Sequence, residues 1–144
     1  MTLLSTSRAV GIVGLVLAGC HAGPVTPRSL VLAVDSSAYH RHGHAPIDIP
    51  FQIRNAGSTP AQIPQCDGRL APLIDRLSRG VWRAWDSGFC NGGQASLLTL
   101  LPGVSAQGTV TIHEGGNFRL RIDVASEREG APGQSTTSPA FDVW

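Results

Sequence analysis

The chain contains no lysine, and all eleven of its positively charged side chains are arginine. This absence excludes the lysine of a phosphate-binding loop, a Schiff-base lysine and a lysine general base. An excess of positive charge is also missing, because ten acidic residues leave a net charge of only +1. Proteins that bind nucleic acids normally carry such an excess or a basic cluster. We therefore expect no nucleic-acid partner.

Catalytic motifs are absent as well. The sequence has no GxSxG, HExxH or GxxxxGK[ST] pattern, each of which positions reactive groups by a fixed spacing. Asp75 and Asp86 are flanked by Arg76 and Arg83, so we expect surface ion pairs there rather than two catalytic carboxylates. These observations predict a protein that is not an enzyme and that has neither a catalytic residue nor a cofactor.

The N-terminal segment has one charged residue, Arg8, followed by an apolar run over residues 9–19. A helix over this run is about 16 Å long, whereas the hydrocarbon core of a bilayer is about 30 Å thick. No later run approaches the length of a transmembrane helix. A short positive region before a short apolar one is typical of a secretory signal, so we predict a signal peptide over residues 1–19.

The end of this run, Leu17-Ala18-Gly19-Cys20, resembles the lipobox of bacterial lipoproteins. The resemblance implies cleavage before Cys20 and acylation of that cysteine, which anchors the protein to a membrane in the cell envelope. Residue 21 is histidine rather than the aspartate associated with retention in the inner membrane. If the source is Gram-negative, this implies the periplasmic face of the outer membrane. Residues 20–28 are then a tether, and residues 29–144 form one domain.

Two cysteines remain after Cys20, namely Cys66 and Cys90. An even pair in an exported protein predicts one disulfide, which would stabilise the fold by roughly 3 kcal/mol. A pair of free thiols and a pair of metal ligands are the alternatives. Neither cysteine belongs to a CxxC motif or has a histidine at ligand spacing, so the disulfide is the preferred interpretation.

Alternating hydrophobicity predicts most of the domain. Residues 47–54 place Ile47, Ile49, Phe51 and Ile53 on one face, and residues 118–124 alternate in the same way. Pro50 lies on the polar face and lacks a backbone donor, which predicts an edge position or a bulge. Further strands are predicted at residues 29–34, 95–101, 109–112 and 140–143, with a long loop over residues 126–139.

The segment from Leu70 to Leu77 is ambiguous. Its apolar residues follow helical spacing, but residues 73–77 can also pair with residues 81–85 across a turn that contains Gly80. We prefer the hairpin, because an aromatic-rich strand follows the glycine at once.

Many short strands separated by glycine and proline turns predict an all-β fold, an antiparallel sandwich. The order of residues 51–57, the Cys66/Cys90 pair, residues 101–103, 116–120 and 138–143 resembles the Ig-like β-sandwich domains of bacterial envelope lipoproteins. It also resembles, more weakly, intracellular-proteinase-inhibitor-like domains. The resemblance implies an Ig-like β-sandwich of about seven to nine strands after the N-terminal signal helix.

A histidine cluster, His40-Arg41-His42-Gly43-His44, is the unusual polar feature of the chain. In an extended segment His40, His42 and His44 share one face, where three imidazoles can bind copper, nickel or zinc and His113 can add a fourth ligand. The alternative is a solvated loop before the strand at Ile47.

Trp82 and Trp85 occupy positions of opposite parity in a predicted strand, so they point to opposite faces. We expect one of them in the core and the other exposed as a contact for an envelope protein or a glycan. The leading functional hypothesis is a lipid-anchored, non-enzymatic binding or interaction module. The alternatives are a periplasmic metal-binding protein that uses the histidine cluster and a proteinase-inhibitor-like domain.

Overall fold

The structure is a computed structural model, and it describes residues 30–86, 90, 92–124 and 133–144. The predicted signal peptide and tether lie outside these residues. Within the described ranges there is no helix long and apolar enough to cross a membrane.

Twelve strands form three sheets in the described residues. Sheet A has the order β1-β3-β9, sheet B has the order β2-β12-β10-β6-β7 with β11 also paired to β10, and sheet C has the order β5-β4-β8. The strands are β1 (Leu30–Val34), β2 (Ala38–Tyr39), β3 (Ile47–Asn55), β4 (Ala61–Cys66), β5 (Arg69–Leu70), β6 (Leu73–Ser78), β7 (Val81–Asp86), β8 (Ala95–Leu100), β9 (Ser105–Ile112), β10 (Gly116–Val124), β11 (Gln134–Thr137) and β12 (Phe141–Val143).

The two strongest alternating segments supply the core. β3 buries every second residue against the interior, and β10 does the same from sheet B. Apolar residues from all three sheets meet in one cluster. The largest completely buried side chains of this cluster are those of Phe118, Phe141, Ile49, Ile53, Ile63, Ile112 and Leu120. Burying one face of each sheet against the others is what makes the fold a sandwich.

Pro50 lies in β3, the central strand of sheet A, where a missing donor would normally break the ladder. The Asn55 N–H donates to the Val104 carbonyl at 3.0 Å, and the Asn55 carbonyl accepts from the Gly103 N–H at 2.7 Å, so both groups point towards the β9 side. Backbone groups alternate in direction along a strand, which turns the Pro50 nitrogen towards the β1 side. β1 ends opposite Phe51, so Pro50 occupies a local edge and no bulge is needed.

The hairpin predicted over residues 73–85 is confirmed, and the helical alternative is wrong. β6 and β7 are joined by Arg79 and Gly80, whose φ angles of 52° and 77° are those of a type I′ turn. The register shifts between Ile74 and Asp75, which leaves Trp85 as an extra residue in β7. This irregularity lies at the outer edge of sheet B.

Asn55 forms the corner at which the chain passes from sheet A to sheet C. Its side chain is completely buried. The Nδ2 group donates to the carbonyls of Thr59 and Leu100, each at 2.8 Å, and Oδ1 accepts from the Gly57 N–H at 3.0 Å. The side chain therefore joins the turn after β3 to the end of β8, and it holds sheets A and C in a fixed relation.

The all-β sandwich is confirmed, with two differences in detail. The described residues contain twelve strands rather than seven to nine, because β2 and β5 have only two residues each and β11 lies inside the predicted loop. β2 pairs with β12 in parallel, whereas every other strand pair in the described residues is antiparallel. A two-residue strand has no periodicity that a sequence pattern can reveal.

Candidate interaction surface

The outer face of sheet B carries a connected set of charged and aromatic side chains. Because Phe118, Leu120 and Ile122 point into the core, the alternate residues of β10 point outward, which places Arg119 and Arg121 on the outer face. Asp75 of β6 lies directly opposite Arg119 in the register. We call this set, together with Trp82 and Leu77, the Trp82 face.

Asp75 is the buried anion of this face. Its side chain is only 5% exposed, because two arginines cover it. The Arg119 Nη2 and the Arg121 Nε lie 3.1 Å and 3.3 Å from Asp75 Oδ2. The surface pairing expected with Arg76 is wrong, since Arg76 instead pairs with Glu114 at 2.9 Å. A carboxylate buried between two cations is held in place, because losing either partner leaves its charge poorly compensated.

Trp82 lies beside this ion cluster. The Arg119 guanidinium carbon is 4.6 Å from the centroid of the Trp82 ring, which is the geometry of a cation–π contact. Trp82 is opposite Leu77 in the register, and Leu77 is exposed. One cation therefore both contacts Asp75 and covers the indole, so the orientation of Trp82 depends on the buried carboxylate.

Arg121 extends the cluster along β10. Burial lowers the pKa of its guanidinium, but the hydrogen bond and charge of Asp123 and the charge of Asp75 outweigh this and raise the pKa above its ordinary value. Arg121 also borders a cleft of about 200 Å³ between β4 and β10. The cleft is lined by Pro64, Ala71, Leu73, Arg121, Ile122 and Asp123.

Trp85 is placed differently from Trp82. Its ring packs edge-on against Phe118 with the centroids 5.3 Å apart, and it adjoins the hydrophobic core. The two tryptophans therefore lie on opposite faces of β7, and Trp82 is the one that faces outward. Both are half-buried, so the expectation of one core and one fully exposed tryptophan is wrong in degree, because Arg119 covers the Trp82 ring. Trp85 belongs to the packing of the sandwich, which leaves Trp82 as the candidate for a partner contact.

The disulfide between Cys66 and Cys90 is confirmed. Cys66 is the last residue of β4 in sheet C, and Cys90 lies after β7, the edge strand of sheet B. Their Cα atoms are 5.2 Å apart. The covalent loop contains the whole β6–β7 hairpin. The bond therefore restrains the element that carries Trp82.

His40, His42 and His44 are exposed, and whereas His40 directly follows β2, His42 and His44 lie in a turn around Gly43 rather than in an extended segment. Gly43 has a φ of 64°, and the Ala45 N–H donates to the His42 carbonyl at 3.2 Å. Arg41 donates to the His113 carbonyl at 2.6 Å, so a permanent positive charge lies between this turn and His113. No group of three metal-binding side chains comes together anywhere in the described part of the chain. These backbone positions therefore do not form the extended segment in which the three imidazoles were predicted to share one face.

Cys20, the predicted lipidation site, lies outside the described residues. The sequence analysis did not anticipate the ion cluster around Asp75. The alternation in residues 118–124 already placed Arg119, Arg121 and Asp123 on one face, and this was the available signal. The pairing of β6 with β10, which brings Asp75 opposite them, has no counterpart in the sequence pattern.

No family model and no curated protein matches the chain. Among solved structures, the chain is similar to the sporulation control protein Spo0M from Bacillus subtilis, with a TM-score of 0.39 and 10% sequence identity. The match covers 81% of this chain and 49% of Spo0M, so the chain spans about half the length of that protein.

Proposed function

We propose that this protein is a lipid-anchored component of the bacterial cell envelope whose β-sandwich is a non-enzymatic binding module. Its contact surface is the Trp82 face. The lipobox-like Leu17–Cys20 segment supports the anchor, and the tether keeps the domain close to the membrane. The domain presents its partner with a sheet face rather than with a catalytic cleft.

The observation that carries this proposal is the orientation of Trp82 by Arg119 and the buried Asp75. Tryptophan and arginine are the residues most enriched in binding hot spots, and a side chain that is already ordered loses little entropy when a partner covers it. Exposed Leu77 beside the indole adds aliphatic surface. This combination fits a protein partner, which would cover both the indole and the leucine.

The binding role is tested by cross-linking the protein to its neighbours in intact envelopes and comparing Trp82→Ala with Val81→Ala. Val81 is the adjacent residue of β7 and is 54% exposed, but it points to the other face, so it is the matched control. A hot-spot tryptophan contributes about 2 kcal/mol, so we expect roughly thirty-fold weaker capture for Trp82→Ala alone. Equal capture by both variants, each with a wild-type melting temperature, would contradict the assignment of this face. Capture of glycan rather than protein would contradict the partner class.

The anchor is tested separately by Cys20→Ser. Metabolic labelling with a palmitate analogue should mark the wild type, and the variant should be unlabelled and released from the membrane fraction. Equal labelling of both proteins would refute the anchor without affecting the Trp82 result.

A further inference from the structure

The strands β8 and β9 follow each other in the chain and are the terminal strands of sheets C and A. Residues 95–112, which contain both strands and their connecting turn, include no charged side chain. Leu97 in β8 is 62% exposed, and the alternate residues of β9 from Ser105 to Thr111 are exposed. In the described ranges, no strand pairs with the outer edge of either β8 or β9.

The register of β9 with β3 shows which backbone groups of β9 have no strand partner among the described residues. The backbone N–H and C=O groups of Asn55 point towards β9. Because these groups alternate in direction along a strand, those of Ile53, Phe51 and Ile49 also point towards β9. Their partners in β9 are Ala106, Gly108 and Val110, whose backbone groups are therefore used inside the sheet. The intervening residues direct their N–H and C=O groups to the open edge, and they are Ser105, Gln107, Thr109 and Thr111.

Exposed strand edges in natural proteins are usually blocked by charges, proline, bulges or short length. β7, the edge of sheet B, carries Arg83, Asp86 and the bulge at Trp85. β1, the other edge of sheet A, contacts β11 through the hydrogen bond from Thr136 Oγ1 to the Leu30 carbonyl. β9 has eight residues and none of these devices, and in the part of the chain that the structure describes its outer edge is open to an added strand.

We propose that β9 pairs antiparallel with β9 of a second copy of this chain across a two-fold axis at Gly108. In this register Ser105 faces the partner's Thr111 and Gln107 faces the partner's Thr109, so all four outward-pointing residues form hydrogen-bonded pairs. On the inner face Ala106 meets the partner's Val110, a small residue against a β-branched one. No charges oppose each other, and two three-stranded sheets become one sheet of six.

The first test is Thr109→Pro compared with Thr109→Ala, both in the full-length protein solubilised in detergent. Proline removes the outward N–H and leaves the ladder to β3 intact, whereas alanine keeps that N–H. Light scattering corrected for bound detergent should give twice the monomer mass for the wild type and Thr109→Ala, and the monomer mass for Thr109→Pro. A monomeric wild type, or a dimeric and folded Thr109→Pro, would overturn the proposal.

The second test does not depend on the folding of the proline variant. Gln107→Cys and Thr109→Cys are produced separately and together, with distinguishable tags. Directly opposed residues lie about 5.5 Å apart, within disulfide range, but identical residues are displaced along the strand and lie beyond it. We expect a covalent dimer when the two variants are mixed and no covalent dimer from either variant alone. The single-variant samples also show whether any other thiol of the chain forms a cross-link. Failure of the mixture to cross-link would refute this pairing.

Discussion

Replacing Asn55 with alanine should destabilise the protein more than any other single polar-to-alanine change in the corner between sheets A and C. The side chain is 0% exposed and makes three hydrogen bonds, to Thr59, Leu100 and Gly57. Alanine removes all three, of which the bond to Leu100 is buried and those to Thr59 and Gly57 are half-buried. Each net hydrogen bond contributes about 1 kcal/mol, so the loss is about 3 kcal/mol.

Asn55→Asp separates hydrogen bonding from shape, because aspartate has nearly the same size. It replaces the Nδ2 donor with an oxygen that faces the carbonyls of Thr59 and Leu100 at 2.8 Å. The variant therefore buries a negative charge against two acceptors, which is costlier than leaving them unpaired. We expect Asn55→Asp to be less stable than Asn55→Ala.

Chemical denaturation at neutral pH measures the free energy of unfolding of each variant. If the slope of this free energy against denaturant concentration is unchanged, the shift of the unfolding midpoint reports the difference in stability. Asn117→Ala is the matched control, because Asn117 is half-buried and its side chain makes one hydrogen bond, to Asp142 at 2.8 Å. That change should cost about 1 kcal/mol or less. If Asn55→Ala were no more destabilising than Asn117→Ala, or if Asn55→Asp were the more stable Asn55 variant, the corner would not act as described.

Three further predictions concern other parts of the domain. Gly108→Ala should cost about 1–3 kcal/mol in denaturant, because a Cβ there lies 2.5 Å from Cζ of buried Phe51, whereas Thr109→Ala should be neutral. Burial, and then the hydrogen bond to Asp35, raise the pKa of Tyr39, the one tyrosine, to about 12 from 10.0. The phenol of the unfolded chain ionises at a lower pH than that of the folded protein, so the free energy of unfolding should fall between pH 10.0 and about 12. Tyr39→Phe should not show this fall. If the tyrosine absorbance of the folded protein titrated with the ordinary pKa of 10.0, the prediction would be contradicted. Replacing His40, His42 and His44 with serine should shift stability by less than about 0.5 kcal/mol with or without zinc, and a zinc-dependent stabilisation lost in that variant would restore the metal hypothesis.

The sequence predicts the strands that bury one complete face. The alternation from Ile47 to Ile53 locates β3 to within one residue, because each apolar side chain needs the core. β4 was not predicted, because Pro64 and two glutamines interrupt its pattern of alternating apolar residues. β9 begins four residues earlier than predicted, because its first half contains small and polar residues and a glycine that makes room for Phe51.

The candidate site was harder to predict than the core. The spacing of Trp82 and Trp85 predicted that they face opposite sides, which needs only the two-residue period of a strand, but it did not show which of the two faces outward. Asn55 follows the predicted strand of residues 47–54, and the local pattern does not show that it is buried, because its burial depends on contacts with residues up to 45 positions away. Asp75 finds its partners 44 and 46 residues further on, so local charge spacing pointed to the wrong arginine.

The position of β10 in the chain affects the order in which the protein can fold during synthesis. β10 pairs with β6, β11 and β12, and it contributes Phe118, Leu120, Ile122 and Val124 to the core. A growing chain that has not yet reached residue 116 can form the β6–β7 hairpin, but sheet B then lacks its central strand. The sandwich therefore cannot close around its core until β10, which lies in the last quarter of the chain, has emerged.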